Sequence, residues 1–382
     1  MPRLDRVLFL ADLLHVDGST LRTFDLARAL TARGIEVTTI ASGGTMLEQF
    51  KKAGLPLQYY HRIHRKMLPL VLNNRIITLA RSLAPTIIHA RSPRLSQLAA
   101  RLARACRVQY VVTTNSIAES RYKTKRSRRC AGLVAASQYL REWLVNDRSV
   151  PKEVITVITN GVEVDPFKGA QAEPKAGGGE STGGNGDSAS RRPGGPGAGP
   201  RAAKAPVVGM IGQRFARGDG HDCFLRVASR ISAEMPAAQF IIAADGERRG
   251  IREKLKKAGL VKQTTIVPAF LDFRHLLTSI DVLLVPSDSE GRSRLILDAM
   301  ACRRPVVAAG VGENYEVIQD GENGVLVPKN NAEAFADKTI ELITDSDLCE
   351  RILDAASESV RKNFSLARMA KDVIAFYTKI LG

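Results

Sequence analysis

PSDSEGRSRLILDAMACRRPVVAAGVGENYEVIQDGENGVLVP, residues 286–328, is the stretch from which the fold is read. It sets one acid, Glu290, in a loop and a second, Asp298, eight residues further on inside an apolar helical pattern. The helix stops at Arg303-Arg304-Pro305, and PVVAAG then reads as a short buried strand. A loop carboxylate, a helix N-terminus and a carboxylate about two turns in suit a polyol joined to a phosphate. Free N–H groups and the helix dipole face the phosphate, while carboxylates accept from hydroxyls.

Outward from this stretch, short Val/Ile/Leu runs alternate with amphipathic helical patterns. Toward the N-terminus lie the strands VLFLADLL, IEVTTIAS, TIIHA, YVVTT, GLVAAS and ITVITNG, with helices such as LRTFDLARALTARG, RLSQLAARLARAC and YLREWLVN between them. Nearer the stretch lie VVGMIG, AQFIIAADG, TTIVPA and DVLLVPS, separated by CFLRVASRISAEM, IREKLKKAG and FRHLLTSI. Repeated βα units of this kind predict doubly wound parallel sheets, one per half. Sites in such sheets lie beyond the carboxyl ends of the strands, so two facing sheets place the site in the cleft between them.

The halves meet at a segment without a core. From Gly169 to Ala205 there is no Val, Ile, Leu, Met or aromatic residue, and such a chain cannot bury enough apolar surface to offset ordering its backbone. It is predicted to be a disordered tether with a root-mean-square span of roughly 35 Å. The expected domains are 1–168, the linker 169–205, a second domain 206–363 and a C-terminal helix 364–382 that packs across both.

Composition narrows the partners. Hydrophobic residues make up 44% and charged residues 25% of 382, ordinary values for a globular enzyme. The net charge of +17 is not ordinary and points to anionic partners. Aromatics total only 5%, Trp143 is the sole tryptophan, and no recognition motif appears, which argues against nucleic acid. The five cysteines are scattered without a CxxC pair, and neither they nor His15, His89 and His221 have metal-ligand spacing, so reduced thiols and no metal site are expected. Asp12 interrupts the apolar start, no small-residue cleavage site follows, and no run is long enough to span a bilayer, so a cytoplasmic location is expected.

In order along the chain, DGSTLRTFDLARALTARGIEVTTI, TIIHARSP, GLVAASQYLREWL, VITNGVEVDPF, IGQRFARGDGHDCFL, AADGE and the 286–328 stretch resemble the family 4 retaining glycosyltransferases. The resemblance covers nearly the whole chain apart from the tether. It implies a GT-B fold of two facing Rossmann-like domains and a metal-independent transfer from a nucleoside-diphosphate sugar, with no further cofactor. Gly18 matches a glycine that lets backbone approach the phosphates, and its usual glycine neighbour is Asp17. Arg214 falls on an arginine that contacts the diphosphate, and Glu290 on the acid near the transferred sugar; these two are the catalytic candidates. Gly291, Arg292, Ser293, Arg294 and Leu295 bring backbone N–H groups of the helix start to the diphosphate.

Three donor-side positions depart from the family. The acid expected as Glu on the nucleotide ribose is Asp298, one methylene short. A lysine near the leaving diphosphate is replaced by Asp219, and a unit charge there, at roughly 4 Å and an effective dielectric near 20, matters by about 4 kcal/mol. A histidine near the donor sugar is replaced by Asn115, which hydrogen bonds without titrating. Arg217, Arg292 and Arg294 are the cations that could compensate. The basic runs HRIHRK (61–66) and RYKTKRSRR (121–129) suit an anionic, lipid-linked or lipopolysaccharide-type acceptor and a peripheral contact with an anionic membrane. Two other classes stay open: a catalytically silent GT-B module that binds nucleotide sugar or glycan, and a sugar-nucleotide epimerase.

Overall fold

The computed structural model describes residues 4–15, 17–61, 63, 70–120, 130–164, 205–214, 219–245, 249–268, 273–287 and 293–382. The tether lies outside the described residues save Ala205, as do Glu290, Gly291, Arg292 and Arg217, the run 121–129 and most of 61–66.

The first sheet has seven parallel strands in the order β3-β2-β1-β4-β5-β6-β7. They are β1 (Arg6–Leu10), β2 (Glu36–Ala41), β3 (Leu57–Tyr59), β4 (Ile87–Ala90), β5 (Gln109–Thr114), β6 (Gly132–Ala135) and β7 (Ile155–Val157). Among the described residues six α-helices accompany them: α1 (Gly18–Thr31), α2 (Leu47–Lys52), α3 (Leu70–Leu83), α4 (Ser96–Cys106), α5 (Ile117–Ser120) and α6 (Gln138–Asn146). The second sheet runs β10-β9-β8-β11-β12-β13. Its strands are β8 (Val207–Arg214), β9 (Gln239–Asp245), β10 (Thr264–Val267), β11 (Val282–Val285), β12 (Val306–Ala309) and β13 (Val325–Val327). The remaining helices are α7 (His221–Glu234), α8 (Arg249–Lys257), α9 (Phe273–Leu277), α10 (Ser293–Ala301), α11 (Asn314–Val317), α12 (Ala332–Thr344), α13 (Ser346–Asn363) and α14 (Leu366–Leu381).

Period-two alternation splits each strand between two cores. Leu8 and Leu10 pack with Ile88 and Val112 on one face of the first sheet, while Val7 and Phe9 pack on the other with residues of α14. The central strands β4, β6, β11 and β12 are buried at every position, as strands covered on both faces must be. Strand order reverses direction between β1 and β4 in the first sheet and between β8 and β11 in the second. The end of β8 and the segments after β1, β8 and β11 at these switch points, helices included, carry the described candidate residues apart from Asn115, which follows β5.

The chain crosses between domains twice, and the crossings touch. Val162, leaving the first domain, bridges Ser365, where the chain returns. Val162 N–H donates to Phe364 O at 2.8 Å, and Leu366 N–H donates to Val162 O at 3.0 Å. Past this point α14 buries Met369, Val373, Phe376 and Tyr377 in the first domain's core, each side chain stabilising by roughly 1.5–3 kcal/mol. No described helix is long and apolar enough to cross a membrane, and the five cysteines form no disulfide.

Candidate active site in the interdomain cleft

The first wall of the cleft is the start of α1. Asp17 is extended and caps the helix, its carboxylate accepting from Thr20 N–H at 2.7 Å. The acid that stands in place of a glycine thus satisfies an N–H that would otherwise be orphaned. Gly18 follows, and a Cβ there would lie 3.9 Å from Arg294 Cβ on the opposite domain and 3.7 Å from Arg22 Nη2. These are ordinary contacts, so Gly18 marks a close approach of two domains rather than a steric necessity.

The second wall is α10. Its first N–H, on Ser293, donates to Glu313 Oε1 at 3.2 Å, and Asn160 Nδ2 from the first domain donates to Ser293 Oγ at 3.2 Å. Glu313 is buried; burial raises its carboxyl pKa, and the Arg22 guanidinium opposes that rise. A carboxylate therefore occupies the helix start where the family places a phosphate.

Arg294 and Asp298, on one face of α10, are spent on each other. Arg294 Nε donates to Asp298 Oδ2 at 2.6 Å, and Arg294 Nη2 reaches Asp25 Oδ2 of α1 at 2.7 Å. The side chains of Arg294, Asp25 and Asp298 are 5%, 5% and 1% exposed, so this triad is a dry link between the domains. Burial alone would lower the Arg294 pKa, but Asp298 and Asp25 outweigh it and hold the guanidinium charged. Asp298, assigned to a ribose by resemblance, has its carboxylate turned to Arg294. Leu295 lies buried in the second domain's core.

Asn115, at the end of β5, is likewise committed within the first domain. Its Nδ2 donates to Ser19 Oγ at 2.9 Å and Glu119 Oε2 at 3.1 Å, and its Oδ1 accepts from Arg22 Nη1 at 2.9 Å. The amide ties α1, α5 and β5 together as a brace. Asp219 sits just before α7, and its neighbour Gly220 has φ +86°. A Cβ at Gly220 would fall 2.6 Å from Pro286 backbone, so only glycine lets this loop lie against the loop that leads to Glu290. Arg214 closes β8, in register with Asp245.

Sequence reading missed Arg22, Asp25, Glu119, Glu313 and Glu316. The first two carried a signal: Arg22 and Asp25 share a face with Leu26 and Ala29, placing charge on a helix stripe that faces the core. Glu316 had none. Its Oε2 accepts from Gln138 N–H at 2.8 Å and its Oε1 from Tyr139 N–H at 2.6 Å, so a second-domain carboxylate caps the first-domain helix α6.

Comparison with known proteins agrees with this architecture. The model described as Glycosyltransferase Family 4 matches residues 16–166, and that described as Glycosyl transferases group 1 matches 205–345. The chain is similar to alpha-D-kanosaminyltransferase of Streptomyces kanamyceticus, 28% identical over 46% of each chain. It is also similar to the lipopolysaccharide core biosynthesis glycosyltransferase LpsE of Rhizobium meliloti strain 1021, 29% identical over 43% of this chain and 47% of LpsE. The chain thus spans about half or less of the length of these curated relatives. The structure of Anabaena Alr3699/HepE in complex with UDP and glucose superposes with a TM-score of 0.76 at 16% identity, covering 97% of this chain and 99% of that one, and shows the shared fold. With both halves matched in order on two doubly wound sheets, the chain belongs to the group 1, family 4 glycosyltransferases.

Proposed function

We propose that the protein is a retaining, metal-independent glycosyltransferase that moves a sugar from a nucleoside-diphosphate sugar to a glycan or lipid-linked acceptor of the cell envelope, of the lipopolysaccharide kind. The observation that carries this reading is the buried carboxylate of Glu313 on the Ser293 N–H, in the cleft opposite Gly18. A helix start that already holds an anion suits a diphosphate, which would displace the carboxylate and take up the same N–H. Arg214 and Glu290 would meet the leaving phosphates and the transferred sugar, stabilising charge as it develops. LpsE and the UDP complex of HepE lend support, the first for an envelope glycan and the second for a uridine donor. The work would be done at the cytoplasmic face, with the basic runs 61–66 and 121–129 suited to an anionic membrane.

One observation favours a silent binding module instead. Asp17 and Glu313 place two acids by the seat a diphosphate would need, and Asp219 stands in the chain where the resemblance expects a lysine. Nucleotide release measured across UDP-, GDP- and ADP-sugars, with thermal-shift binding alongside, separates the two readings. Release that requires an acceptor and is abolished in Glu290→Ala supports the transferase; binding without turnover on any acceptor supports the module.

A further inference from the structure

A cavity of about 280 Å³ opens beside the cleft, walled among the described residues by the first domain. It lies at the β1/β4 switch point, between the segment 11–15 after β1, the start of α1 and the Arg91–Arg94 segment after β4. Its volume is near the lower end of ligand pockets, roughly 300–1,000 Å³, and suits one sugar unit rather than a chain.

Arg91 gives this cavity its chemistry. It is 6% exposed yet lines the cavity. Its Nε donates to Thr23 Oγ1 at 3.2 Å and its Nη1 to Thr113 Oγ1 at 3.2 Å, with His89 Nε2 at 3.4 Å. Among the described residues no carboxylate hydrogen bonds to it or forms a contact ion pair with it, although the charge of Glu119 on the cavity wall acts on it at longer range, and its Nη2 takes no protein acceptor. The acids on the cavity wall are engaged elsewhere: Asp12 with Arg94 at 3.7 Å, Asp17 with Thr20 N–H, and Glu119 with Asn115. Burial draws the Arg91 pKa down to about 10, so it stays charged at neutral pH.

The guanidinium is also rigidly mounted. His89, held neutral by burial, contacts Thr113 Oγ1 at 2.6 Å and Tyr377 Oη of α14 at 2.5 Å, while the Arg91 guanidinium stacks over Phe9 at 5.4 Å. A buried cation without a carboxylate is costly in the protein and favourable to an incoming anion. With Nε and Nη1 held by Thr23, Thr113 and His89, Nη2 is the arm left to give a charge-assisted hydrogen bond to an oxyanion.

We propose that this cavity is an acceptor subsite for an acidic sugar, and that Arg91 grips an oxyanion of that sugar, the carboxylate of a sugar acid or the phosphate of a phosphosugar. The assignment of the ligand as acceptor rests on the donor seat proposed above; the anion preference itself does not.

The test is isothermal titration of the full-length protein with methyl β-D-glucuronide, glucose 6-phosphate and neutral methyl β-D-glucoside. At least one anionic sugar is expected to bind about tenfold tighter than the neutral one or better, as charge-assisted hydrogen bonds to a fixed guanidinium require. The stronger of the two anions identifies the source. Arg91→Gln is expected to erase the preference while UDP binding is kept. Should that variant not fold, Thr20→Asp, which adds a carboxylate to the cavity wall with Arg91 intact, is expected to erase it too. Equal binding of the three sugars, no binding of any, or a preference that survives either folded variant overturns the proposal. An intact preference without nucleotide release strikes the transferase reading and with it the name of acceptor, leaving the anion site; release with no anion preference strikes this proposal alone.

Discussion

Asp298 departs from the resemblance by one methylene, and the structure shows what fills the space. Arg294 brings a long side chain into a buried site, and Asp298, one methylene shorter than glutamate, leaves room to receive it at 2.6 Å. Restoring the longer acid alone should overfill a site 1% exposed. Asp298→Glu is expected to lower stability by about 1–3 kcal/mol in urea unfolding; a neutral change would mean the pair has slack. Glu313 offers a test with pH. Burial raises its carboxyl, so ionisation is less favourable in the folded protein than in the unfolded chain. Its contribution is then full below the ordinary glutamate range, near pH 4.3, and is lost as pH rises through the folded value. Glu313→Gln keeps the acceptor for Ser293 N–H and removes the titration. The stability difference between variant and parent should move in the variant's favour from acid to neutral pH. A difference flat with pH would place the charge of Glu313 outside the balance.

At the scale of elements, the two crossings depend on a residue without a side chain. A Cβ at Gly161 would meet Ser365 O at 2.7 Å, Met369 Cβ at 2.9 Å and Leu366 Cα at 3.0 Å, two of them backbone atoms that cannot rotate away. Gly161→Ala is expected to cost about 1–3 kcal/mol and to lower the melting temperature, read by calorimetry. Much of the element order was legible because buried parallel strands write themselves as unbroken Val/Ile/Leu runs, as VLLV of β11 and VVAA of β12 do. β3 was not legible: Leu57–Tyr59 is three residues at a sheet edge with Tyr59 exposed, so no alternation marks it. VLFLADLL reads as one strand, but the regular ladder ends at Leu10 and the remainder, still hydrogen-bonded to the segment after β2, forms the cavity wall. The motif residues of the site could be located in the chain, yet not their partners. Asp25 with Arg294, and Glu316 with α6, join segments far apart in sequence, and no local period records such pairs.

The molecule as a whole is closed by contacts that the proposed donor would have to disturb to reach Ser293. Three of them link the domains directly: Asp25 with Arg294, Asn160 with Ser293, and Glu316 with the first N–H groups of α6. If they form one latch, weakening any of them raises the open population sensed by all. Tyr139 N–H reports this, because its acceptor Glu316 belongs to the other domain. Leu140 N–H is the control, since it donates to Ser137 Oγ of its own helix cap at 3.1 Å. Asp25→Ala removes one arm of the triad while Arg294 keeps Asp298, and touches nothing in α6. A loss of about 1.4 kcal/mol or more from the latch corresponds to tenfold or more in the open fraction. Amide exchange at Tyr139 should therefore quicken by about that factor in the variant, with Leu140 unchanged. Equal rates at Tyr139 in variant and parent would show that the contacts open independently, and the cleft would then be gated at each wall by itself.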